Sequence, residues 1–209
     1  NIIVLGGSPA SFHLVNIILY TFICFLIYIL IKRLFKKETL ALITTWLFLV
    51  LPIHTEVVAN IAGRGELLAL FFSLLALLEF TKERTKFSLA GLWTFLAIGS
   101  KEVAIAVVPL IFIVFYIKEG RINTEILKNN FRSISAAIIA AGFYFFLRFF
   151  SLGPAHFLGV KTSLIENPLI FTDTWSRIFT AFKVLWMYVW KMFWPANLCS
   201  DYSYNQIPI

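Results

Sequence analysis

The sequence predicts an all-α fold: a polytopic transmembrane bundle of about six helices, with an amphipathic interfacial helix near the C-terminus. Three observations predict it. Hydrophobic residues make up 60% of the 209 residues and the mean hydropathy is +0.86. Charged residues fall to 14%, against roughly 25% in ordinary soluble domains. Apolar runs recur between short charged stretches, and about 20 mostly apolar residues are needed to cross roughly 30 Å of hydrocarbon as a helix. A β-barrel would instead alternate polar and apolar positions over segments of about ten residues. Runs such as Leu67-Leu68-Ala69-Leu70-Phe71-Phe72 are apolar on every side, which favours helices.

Membrane helices are expected at about 12–31, 39–53, 57–80, 87–99, 103–117 and 133–150. Lys32, Arg33, Lys36 and Lys37 follow the first; Lys82, Arg84 and Lys86 follow the third; Lys118, Arg121, Lys128 and Arg132 follow the fifth. Every second connection is therefore basic, which by the positive-inside rule places these three in the cytoplasm and the others on the outward or lumenal side. The net charge of +7 then reports membrane orientation. Lysines and arginines confined to loops form no basic stripe, which argues against a nucleic-acid partner.

The stretch 87–117 would run about 46 Å as one helix, longer than the bilayer core. Gly99-Ser100-Lys101-Glu102 offers a break, giving two short helices that meet at a polar turn. Such short helices are expected to stop below the outward surface and leave a cavity lined by their polar ends. Residues 1–150 are read as the helix bundle. Residues 151–209 are read as an outward loop, an aromatic helix and a Trp-Pro to Asp-Tyr-Ser segment of the same membrane domain. On a helical wheel of 173–194, Trp175, Ile178, Phe179, Phe182, Trp186, Val189 and Phe193 share one face, with Arg177, Thr180, Lys183 and Lys191 opposite. That pattern suits a helix lying in the interface, although a seventh span is the alternative.

Cys24 sits inside an apolar run and Cys199 near the end, so no disulfide framework, cysteine metal cluster or redox compartment is implied. The chain opens on Asn1 with no basic segment or small-residue cleavage site, so no signal peptide is read, and a piece of a longer protein is expected.

The richest polar cluster runs from His54-Thr55-Glu56 through Asn60 to Gly63-Arg64-Gly65-Glu66. Were 55–66 one helix, Glu56, Asn60 and Arg64 would share a face, and the two glycines would admit a backbone or ligand closely. Arg64 could hold a phosphate, and His54 with Glu56 could position a hydroxyl; capping and an ion pair are the plainer alternative. Lys101 and Glu102 lie at the polar turn, where Lys101 could hold a phosphate as a point charge and Glu102 could orient it or pair with Arg64. His13 and Asn16 are neighbours on the first helix, most simply as helix–helix hydrogen-bonding groups. Arg148 either binds phosphate or snorkels. Asp201, among the aromatics of Trp194-Pro195 to Tyr202-Ser203, suits a polyol or sugar. No metal site and no cofactor is expected.

Taken in order, Phe12-His13-Leu14-Val15-Asn16, His54-Thr55-Glu56, Asn60-Ile61-Ala62-Gly63-Arg64-Gly65-Glu66, Ser100-Lys101-Glu102 and Trp194-Pro195 to Asp201-Tyr202-Ser203 resemble the transmembrane and tetratricopeptide-repeat (TMTC) family over nearly the whole chain. The resemblance implies a GT-C-type membrane glycosyltransferase whose helices surround a cavity. It implies a lipid-phosphate sugar, typically dolichyl-phosphate mannose or another polyprenyl phosphate, as donor substrate, and protein Ser or Thr as acceptor held by tetratricopeptide repeats. The catalytic carboxylate of that scheme lies in a first outward loop, expected upstream of residue 1. His54, Glu56, Arg64, Glu66, Lys101, Glu102 and Asp201 are the matching motif positions, with Asn60 and Arg148 as further cavity candidates. The membrane would be the endoplasmic reticulum in a eukaryote and the plasma membrane in a prokaryote. A non-catalytic scaffold for attached repeats is the competing function. A transporter is disfavoured because it would place ionisable groups near the midplane, whereas these gather at one face.

Overall fold

The computed structural model describes residues 9–120, 124–153 and 172–194, all helices, turns and connections among these residues with no strand. The helices are α1 (Pro9–Phe35), α2 (Glu38–Val50), α3 (His54–Ala59), α4 (Arg64–Phe80), α5 (Phe87–Ser100), α6 (Val107–Glu119), α7 (Thr124–Leu152) and α8 (Thr174–Phe193). Two are long and apolar enough to cross a membrane, α1 over Ala10–Phe35 and α7 over Thr124–Leu152. α2 and α5 are apolar but shorter, with 13 and 14 residues.

The chain divides into two compact units. The first comprises 1–50 and 57–147. Its core is built from Ile23, Ile27 and Leu30 of α1, Leu67, Leu74, Leu77 and Phe80 of α4, and Val107, Ile111, Val114 and Phe115 of α6. Phe80 meets Phe115 edge-on at 5.8 Å between ring centres, a favourable aromatic geometry. Ala90 and Ala97 of α5 and Ala137 of α7 are fully buried. Small residues at helix crossings let backbones approach, which is how helices pack when lipid already solvates their apolar surfaces. The outer faces bear this out: Leu14, Phe22 and Phe25 of α1 and Phe131, Ile139 and Phe146 of α7 are all exposed.

α1 and α4 run in the same direction, so the first unit has two ends. At one, the start of α1 meets the start of α4, through Asn16 and Arg64. At the other, Arg33 Nη1 reaches the Thr81 hydroxyl at 3.5 Å.

Three expected helices differ in detail. The expected span 57–80 is interrupted: Asn60 is extended (φ −86°, ψ 127°), and a 3-10 turn over Ile61–Gly63 precedes α4. The expected helix 103–117 opens with a 3-10 segment, Glu102–Ala106, before α6. The expected helix 133–150 begins at Thr124, so Lys128 and Arg132 belong to a helix rather than a loop. Glu125 in its first turn is favoured by the helix dipole, and a helix satisfies its own backbone whether or not its side chains are apolar. Lys32 and Arg33 likewise occupy the last turn of α1, where cations are favoured. That helix closes on Lys36, in the left-handed region at φ 54°, whose amide donates to the Lys32 carbonyl at 2.9 Å. The expected break at 99–102 is present: α5 ends at Ser100 and Lys101 is extended.

The second unit comprises 51–56 and 148–209. In it Asp173 caps α8, its carboxylate accepting from the amides of Trp175 at 3.0 Å and Ser176 at 3.1 Å. The Ser176 hydroxyl and then the Ser176 amide hold that carboxyl below the usual carboxylate range. Trp175, Phe179, Phe182, Trp186 and Phe193 are exposed along α8, spaced as the aromatic face requires.

Candidate functional site

The Gly-Arg-Gly-Glu block stands where it does because of its glycines. A Cβ on Gly63 would lie 2.4 Å from the Val57 carbonyl oxygen, a backbone atom that cannot swing aside. Gly63 therefore permits the chain to fold tightly back on α3. A Cβ on Gly65 would lie 3.2 Å from the Ser100 carbonyl oxygen, so Gly65 sets the close crossing of α4 with the end of α5. Both glycines thus admit another stretch of backbone.

Asn16 is fully buried and ties this block to α1. Its amide donates to the carbonyls of Val58 at 3.2 Å and Asn60 at 3.1 Å. Its oxygen accepts from Arg64 Nε at 3.1 Å. Arg64 also donates to the Phe12 carbonyl at 3.3 Å and stands over the Phe12 ring at 5.5 Å, a cation–π distance. Asn60 caps the 3-10 turn, its side chain accepting from the Ala62 amide at 2.9 Å. The expected stripe of Glu56, Asn60 and Arg64 on one helical face is therefore corrected. The interruption at Asn60 ends the helical register, and Arg64 turns toward α1, where the Asn16 side-chain oxygen and the Phe12 carbonyl accept from its guanidinium. For Asn16, helix–helix hydrogen bonding is what the structure shows.

Where α4 crosses α5, Glu66 and Lys101 form an ion pair, with both side chains 45% exposed. Their partner choice follows from the crossing: Gly65 and Ser100 touch through backbone, so the next residue of each element meets the other. The pair sits at a cleft of about 350 Å³ between α4 and the segment leading into α6, walled by Ala69, Leu70, Val103 and Leu110 with Ser73 among them. The lining is mostly apolar, with the ion pair and Ser73 as its polar groups.

Glu102 is half-buried beside this pair in sequence and opens the 3-10 segment. His54, half-buried, and Glu56, exposed, start α3 and fall in the second unit, as does the half-buried Arg148 near the end of α7. Asp201 lies outside the described residues. Among the described residues no three of His, Cys, Asp and Glu come together as a metal-ligating group.

Sequence reasoning missed Glu79. It is buried at the end of α4, pairing with Lys82 and accepting from the Lys86 amide at 2.9 Å. It thereby fastens the turn before α5, opposite the Arg64 end. The signal was a lone carboxylate closing an apolar helix three residues before a lysine.

A family model described as dolichyl-phosphate-mannose-protein mannosyltransferase matches residues 2–149. The chain belongs to this family. A second model, protein O-mannosyl-transferase TMTC, DUF1736, matches residues 161–209, in line with the resemblance carried by the motifs. Protein O-mannosyl-transferase F38B6.6 of Caenorhabditis elegans is 32% identical over 94% of this chain and 27% of its own length. Protein O-mannosyl-transferase TMTC1 of Homo sapiens is 46% identical over 39% of this chain and 9% of its own length. Protein O-mannosyl-transferase tmtc2 of Xenopus laevis is 27% identical over 98% of this chain and 26% of its own length. The chain thus spans about a quarter of the length of the relatives that cover nearly all of it. No solved structure matches. Family membership and two spanning-length apolar helices make this mannosyltransferase-family chain a membrane protein.

Proposed function

We propose that the chain forms part of the membrane domain of a GT-C-type glycosyltransferase that moves mannose from a dolichyl or polyprenyl phosphate to protein Ser or Thr hydroxyls. The observation that carries this reading is the cleft lined by Lys101: a cation in its lining matches a phosphate, and its apolar walls match a lipid chain. The family's printed description supports the donor class, and the relatives' names support the transfer to protein. Inverting transfer needs a base at the acceptor hydroxyl and a cation or hydrogen-bond donors for the departing phosphate. Lys101 supplies the second. The basic ends of α1, α4 and α6 face the cytoplasm and the Lys101 end faces the lumen or exterior, with about six membrane helices and α8 in the interface.

The scaffold reading draws on one observation: Arg64 and Asn16 satisfy each other and the backbone around them, as fastening groups would. Radiolabelled dolichyl-phosphate mannose and acceptor polypeptides, incubated with the full-length protein in nanodiscs, separate the two. The enzyme reading expects labelled polypeptide from the wild type and at least a tenfold loss with Lys101→Gln. No transfer from this or any other lipid-linked sugar would leave the scaffold.

A further inference from the structure

The cleft's cation is already engaged: Lys101 is held by Glu66, so a lipid phosphate must displace a carboxylate to reach it. We infer that Glu66 is a latch, standing in for the donor's phosphate while the cleft is open and exchanged for it when a dolichyl-type lipid phosphate binds. This rests on the reading of the cleft as the donor site, and deepens it.

Three observations support an exchange. First, the backbones on both sides are fixed. Gly65 packs against the Ser100 carbonyl, Lys101 donates its amide to the Ala97 carbonyl at 3.2 Å, and its carbonyl accepts from the Ala104 amide at 3.0 Å. The latch therefore opens by side-chain rotation alone. Second, both side chains are 45% exposed, and an ion pair this wet is worth only about a two- to fivefold bias in an equilibrium. It is strong enough to preset the lysine and weak enough to yield. Third, the competing partner is favoured by more than charge. A phosphate offers a lysine charge-assisted hydrogen bonds, and a lipid adds burial of its chain against Leu70, Val103 and Leu110. A soluble anion would lack that second contribution, so the apolar walls set the preference for lipid phosphates over free ones, while Glu66 raises the threshold that either must overcome. Arg64 plays no part in the exchange, being directed to Asn16 and Phe12.

Equilibrium binding of tritiated dolichyl phosphate to the full-length protein in phosphatidylcholine nanodiscs tests this, with thermal unfolding confirming that each variant is folded. Glu66→Gln is expected to tighten binding about two- to fivefold, because it removes both the competitor and a repulsive charge. Lys101→Gln is expected to weaken it about tenfold, and the double variant to bind more tightly than Lys101→Gln but less tightly than Glu66→Gln. Inorganic phosphate at equal concentration is expected to compete poorly. Unchanged or weaker binding by Glu66→Gln, with Lys101→Gln still impaired, would overturn the latch while leaving the donor site. Inorganic phosphate as effective as the lipid would overturn the discrimination. Lys101→Gln binding as wild type, or no binding by any variant, would remove the donor site and the latch with it.

Discussion

The two ends of the first unit use the same residue types for different ends. At the Arg64 end, polar groups reach across the sequence: Asn16 to Val58 and Asn60, Arg64 to Phe12, Lys101 to Glu66. At the Glu79 end the salt bridges are local, and the contacts that reach across the sequence are hydrogen bonds, among them those from Arg33 to Thr81 and from Ser133 to the Thr85 carbonyl. Glu79 pairs with Lys82 and holds the Lys86 amide, and Lys32 pairs with Glu38, which also accepts from the Tyr28 hydroxyl at 2.7 Å. Local pairs close turns and terminate helices. Long-range ones fix separate helices against one another. Of all these contacts, only the exposed Lys101–Glu66 pair lines the cleft between α4 and the segment leading into α6.

The sharpest way to break the contrast is at Gly63. Gly63→Ala drives a Cβ into the Val57 carbonyl, and backbone must move to accommodate it. A loss of about 3 kcal/mol is expected, read as a lowered midpoint of thermal unfolding in detergent. Asn16→Ala removes three hydrogen bonds at a fully buried position and leaves a guanidinium and two carbonyls to find other partners. About 2–3 kcal/mol is expected, with amide exchange accelerated in α3 and the first turn of α4 but not at the turn 81–86. Glu79→Ala should do the converse. A cost of about 2 kcal/mol is expected, with exchange accelerated at 81–86 and dolichyl phosphate binding unaltered. If it instead impaired binding, the division of labour between the ends would fail.

The smallest effect lies in the second unit. The carboxyl of Asp173 is held below its ordinary range by Ser176, so its folded pKa is lower than its unfolded one. Its contribution is then fully present above an unfolded pKa of about 3.9 and lost as pH falls through the folded value. The first turn of α8 should stay intact from neutral pH to about pH 5 and fray as pH falls below about 4. Asp173→Asn, which keeps a capping oxygen, should abolish that pH dependence. Exchange rates of the Trp175 and Ser176 amides provide the measurement.

Much of this was legible in the sequence because hydropathy and punctuation are strong signals. The break at 99–102, the ends of α1, α4 and α5 to within a few residues, and the aromatic face of α8 followed from apolar runs and breakers. The interruption at Asn60 was not legible. It depends on Asn60 folding its side chain onto the Ala62 amide and on Gly63 meeting Val57, contacts that a period of 3.6 does not encode. The candidate site was legible as a set of residues and not as a set of pairs. Residues 64, 66, 101 and 102 stood out as charges at an apolar end, but which met which was decided by a backbone crossing at Gly65 and Ser100. The polar start of α7 was misassigned to a loop because its charges masked a helix. Glu79 escaped because burial inverts what a charged residue at a helix end ordinarily means.

The proposed function requires that the Lys101 cleft, rather than the Arg64 cluster or the basic end, receive the lipid-phosphate donor. Photo-crosslinking the full-length protein with a diazirine-bearing dolichyl phosphate, and locating the adducts by mass spectrometry, tests it most directly. Adducts on Leu70, Val103 or Leu110, lost in Lys101→Gln, are predicted; adducts confined to the Glu79 end, or unchanged by Lys101→Gln, would contradict it.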